Sequence, residues 1–164
     1  MKGILLAGAA LLTIAASPAA AITVWQGDLF VTSAVSGTAG ACAAVNMSVG
    51  NFARGVFRPK GLGDNGTSDL LSWHFSGSSG QIATAANVAL DGATSATVRI
   101  IYGSAGFNQF TNWTISGADV TPPAPLAGTA TVVVQVTVQD IYSKRPTQPS
   151  NCDVTFRGTL AKKP

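Results

Sequence analysis

Glutamate is absent from the 164 residues, and all seven acidic side chains are aspartates. Glu is a good helix former, whereas Asp prefers turns and caps, so this choice argues against long surface helices. It also disfavours paired-carboxylate glycosidase chemistry, because two Asp would have to meet from distant loops. Histidine occurs once, as His74, and cysteine twice, as Cys42 and Cys152. The cysteines have neither the local Cys-x-x-Cys spacing of a redox centre nor the clustering of a metal site. Charged residues make up 10% of the chain and the net charge is only +3. The few bases do not form the concentrated face that phosphate neutralisation requires, so nucleic acid is not an expected partner. Neither a cofactor nor a metal is expected.

What is present begins with Lys2, an apolar run over 4–16 and the small residues of 17–21. A basic start, a short apolar segment and a small-residue site predict a cleaved signal peptide over 1–21, with cleavage near Ala21. The mature chain, 22–164, is expected to be secreted or periplasmic and to form a single β domain. In such a compartment Cys42 and Cys152 should pair. Closing so long a loop is worth roughly 4–5 kcal/mol in the chain-entropy model.

Apolar residues beyond the signal recur with period two and are broken into short runs by Gly, Ser, Asn, Asp and Pro. The clearest run places Val132, Val134, Val136 and Val138 on one face, with Gln135, Thr137 and Gln139 on the other. The next places Cys152, Val154, Phe156 and Leu160 together. Further strands are expected at 23–34, 43–49, 55–58, 70–75, 82–90, 97–102 and 112–116, about nine in all. Asp91-Gly92 and Asp64-Asn65-Gly66 have the chemistry of hairpin turns. Pro122-Pro123-Ala124-Pro125 cannot occupy a central strand and reads as a crossing between sheets. These features predict an all-β, single-domain antiparallel β-sandwich, with a closed β-barrel as the alternative. A barrel in the outer membrane would need an outward apolar band with aromatic girdles; the strands instead show a polar face, so no stable membrane insertion is expected.

Arg54, Arg58 and Lys60 form the main charge cluster, with Phe52 and Phe57 interleaved and Asp64 and Asp69 in the following loop. Bases and aromatics together suit an acidic protein or a sugar acid, making these five charged residues the candidate binding set. The interpretation favoured over binding is an edge strand at 55–58 guarded by its charges. Loop Asp and Asn oxygens could in principle hold calcium, but they lack the regular ligand spacing, and a plain turn is favoured. The loops 61–69 and 143–149 are further candidate contact surfaces. His74 falls opposite Trp73 and Phe75, without a Gly-x-Ser-x-Gly elbow. The leading expectation is a non-catalytic binding or structural module for a protein or glycan ligand. Alternatives are a secreted hydrolase centred on His74, or a surface-fibre subunit that assembles through an edge strand.

Overall fold

The computed structural model describes residues 22–63, 65–75, 78–104, 107–141 and 150–163. Among these residues eight strands follow in chain order: β1 (Trp25–Ser36), β2 (Phe52–Arg58), β3 (Leu70–Phe75), β4 (Ser78–Ala83), β5 (Asp91–Ser104), β6 (Phe107–Thr121), β7 (Thr131–Gln139) and β8 (Cys152–Lys162). A single helical turn, α1 (Ala41–Ala44), lies between β1 and β2. The chain is therefore all-β, as its alternation predicts.

All seven ladders among the described residues are antiparallel, and they join the strands into one sheet of order β4-β3-β2-β1-β8-β7-β6-β5. This is the ring order of an up-and-down barrel cut between β4 and β5, which approach each other without a ladder among the described residues. The expected division into two sheets is replaced by one open, curled sheet. The proline run does not change sheets. It lies in the connection of a β6–β7 hairpin, beyond a cis Thr121–Pro122 peptide, where no ladder needs the missing N–H groups. Trp25 Nε1 donates to Thr129 O at 3.2 Å and fastens that connection to β1.

Alternation sets the faces. Val132, Val134, Val136 and Val138 are all buried, as are Cys152, Val154, Phe156 and Leu160. With Trp25, Leu29, Phe57, Leu71, Trp73 and Trp113 they fill the concave side. Phe75 stacks on Trp113 and on Phe156, each at a ring separation of 5.8 Å. A register shift in β1 between Val31 and Ser33 inserts one residue, so that Val31 and Ala34 both face the concave side of β8. At Gly158 the strands meet so closely that a Cβ would lie 2.1 Å from Asp28 O.

Three local expectations change. The segment 43–49 is not a strand, because α1 and a following turn occupy it. The strand expected at 82–90 ends at Ala83, and Gly92 uses its left-handed φ of 83° in the irregular opening of β5 rather than in a hairpin. The strand at 55–58 lies inside β2, which pairs with β1 and β3, so it is not an edge. The Asp64-Asn65-Gly66 signal does fall between two paired strands, β2 and β3, although Asp64 and 143–149 lie outside the described residues.

Candidate functional site

The disulfide Cys42–Cys152 links α1 to the start of β8, with the two Cα atoms 4.9 Å apart. It fixes the segment that follows α1. Met47 N donates to Cys42 O at 2.8 Å, Asn51 Nδ2 donates to Asn46 O at 2.6 Å, and Gly50 N donates to Val31 O at 2.9 Å. The segment thereby stands as one wall of an open cleft of about 900 Å³. Phe52, Arg54 and His74 line the same cleft.

Those three residues belong to the convex face. Leu29, Val31 and Ala53 point into the core, so strand parity turns Asp28, Phe30, Phe52 and Arg54 outward. Phe30 and Phe52 are direct cross-strand partners, 49% and 63% exposed, with ring centroids 6.5 Å apart and planes tilted by 51°. On the other side of Phe30 its β8 partner is the exposed Arg157. No carboxylate pairs with Arg157 among the described residues. One step along the strands, Asp28, Arg54 and His74 lie side by side on β1, β2 and β3. Arg54 Nη1 and Asp28 Oδ1 are 3.4 Å apart with both side chains about half exposed, a geometry that leaves the ion pair weak and easily rearranged. Two exposed phenyl rings are thus bordered by Arg54, His74 and Arg157.

The residues singled out from sequence do not assemble as one group. Arg54 reaches the cleft, whereas Arg58 is half-buried and its Nε has no hydrogen-bond partner among the described residues. Lys60 Nζ donates to Asn87 O. Asp69 is buried: Oδ1 accepts Lys60 N–H at 2.8 Å and Oδ2 accepts Leu90 N–H at 2.9 Å. Its carboxylate therefore staples two connections. Phe57 packs against Trp25 in the core, leaving only Phe52 of the interleaved pair outside.

His74 is exposed, with Ser79 as its β4 partner and Arg54 as its β2 partner. Arg54 stands between it and Asp28, and among the described residues no hydrogen bond joins His74 to a serine hydroxyl or a carboxylate. Sequence reasoning overlooked Phe30 and Arg157. The signal was available, since Phe30 is out of phase with Leu29 and Val31, and an aromatic on the polar face of a strand is the exception that calls for a reason. Among the described residues no helix is long and apolar enough to cross a membrane. The chain matches no family model, no curated protein and no solved structure.

Proposed function

We propose that this chain is an exported, non-catalytic binding domain that grips an acidic glycan on the convex face of β2, β1 and β8. The observation that carries this reading is the exposed Phe30–Phe52 pair beside Arg157, with Phe52 also lining a cleft that it shares with Arg54 and His74. An aromatic platform receives the apolar face of a sugar ring, and a guanidinium presents paired donors to its carboxylate. Arg54 can exchange its weak contact with Asp28 for a ligand carboxylate at little cost. The Cys42–Cys152 bridge suits an oxidising compartment and keeps the cleft wall in place before a ligand arrives.

Retention on immobilised polygalacturonate tests the reading, with neutral dextran as control. The wild-type chain should be retained by the acidic polymer alone, and added salt should weaken the retention. Phe52→Ala and Arg157→Ala should each weaken binding about tenfold, equivalent to about 1.4 kcal/mol. Equal retention on dextran, or full retention by both variants, would remove the proposal.

A further inference from the structure

The outward row that holds Phe52 and Phe30 does not stop at Arg157. The ladders carry it on, since Arg157 pairs with Gln135 on β7, Gln135 with Asp119 on β6, and Asp119 with Asp91 on β5. Arg157, Gln135 and Asp91 are exposed, and Asp119 is half-buried. Their strand neighbours Phe156, Val134, Val136, Ala118 and Val120 are buried, so alternation keeps the whole row on the convex face. One line across the sheet thus passes from two phenyl rings to a guanidinium, an uncharged amide and then two carboxylates that face each other. Each step is one strand spacing, about 4.8 Å, close to the repeat of one ring in an extended pyranose polymer.

We infer that the acidic glycan crosses the strands along this row, at about one sugar ring per strand, and that Asp119 ends its path. Resting on the binding reading above, this path adds Gln135 as a contact and Asp119 as a residue that determines specificity. Phe52 and Phe30 receive successive rings, and Arg157 takes a carboxylate. The Gln135 amide can donate to one sugar hydroxyl and accept from another without adding charge. A further ring would bring its carboxylate over Asp119, whose cross-strand partner is also acidic, and like charges there repel. Along β1 toward its start, the next outward side chain after Phe30 is Asp28, so a polyanion turning that way meets the same obstacle. Across β2, β1, β8 and β7 the row therefore fits an acidic run of about four rings.

Calorimetry with a galacturonate octamer tests the path. Gln135→Glu should weaken binding about fivefold, and Gln135→Lys should strengthen it about fivefold, a gain that misfolding cannot imitate. Gln139 is exposed on the same face of β7. It lies about 13 Å along the strand from Gln135, so the same two changes there should each shift affinity by less than about twofold. Asp119→Asn keeps the acceptor that Thr121 Oγ1 uses at 3.3 Å and removes only the charge. That variant should bind the octamer about threefold more tightly than wild type. Responses of equal size at Gln135 and Gln139, or no gain in Asp119→Asn, would overturn this path and leave the binding reading standing. A wild-type chain that does not bind the octamer would remove both.

Discussion

Asp69 shows how a residue with the chemistry of a ligand can be wholly occupied by the fold. Its two carboxylate oxygens take the N–H groups of Lys60 and Leu90, and its own N–H donates to Thr84 Oγ1 at 3.0 Å. Asp69→Ala strands two backbone donors in a poorly solvated site, which costs about 2–4 kcal/mol. Urea unfolding should show the midpoint falling accordingly, with Asp69→Asn losing less because one acceptor remains. Gly158 makes the complementary point through what it lacks. A methyl there would strike Asp28 O, a backbone atom that cannot swing aside, so Gly158→Ala should destabilise the chain by about 2 kcal/mol. An unchanged thermal midpoint for that variant would show that β1 and β8 do not pack so closely.

Among the elements, the segment after α1 depends most on one covalent bond. The cysteines are 110 residues apart in sequence, and a bridge over such a loop contributes roughly 4–5 kcal/mol in the chain-entropy model. Cys42→Ser with Cys152→Ser should lower stability by an amount of that order. Amide exchange at Met47 and Gly50, whose N–H groups hold the cleft wall, should also quicken more than exchange in β7. β7, β8 and β3 were legible in the sequence because each buries one face and alternates without interruption. The 43–49 segment misled for the converse reason. Val45, Met47 and Val49 imitate a strand, yet Met47 is buried while Val49 is 69% exposed, because the chain turns after α1 instead of running extended. Gly40 and Gly50, both with positive φ, bracket that turn. At the site, the cationic and aromatic character around Phe52 and Arg54 could be read from one strand. The approach of Phe30 and Arg157 could not, since it depends on which strands become neighbours. The same limit hid the single sheet, because local patterns fix faces and leave partners undetermined.

For the whole molecule, the proposed binding face draws β1 and β2 from an earlier part of the sequence and β8 from a later one, so it exists only while β1 and β8 remain paired. Retention on polygalacturonate should therefore be lost over the same urea range as the circular dichroism of the sheet. Retention that persists beyond that range would mean that the ligand contacts a shorter stretch of chain.

The pairing of β1 with β8 also orders events in time. β1 is synthesised before β2 to β7, yet β8, the neighbour that completes its hydrogen bonding, is synthesised after them. Until β8 arrives, the sheet exists only as two separate hairpin arrays, each with its apolar surface open. A chain made only as far as β7 should thus remain loose, and locking of the structure awaits β8.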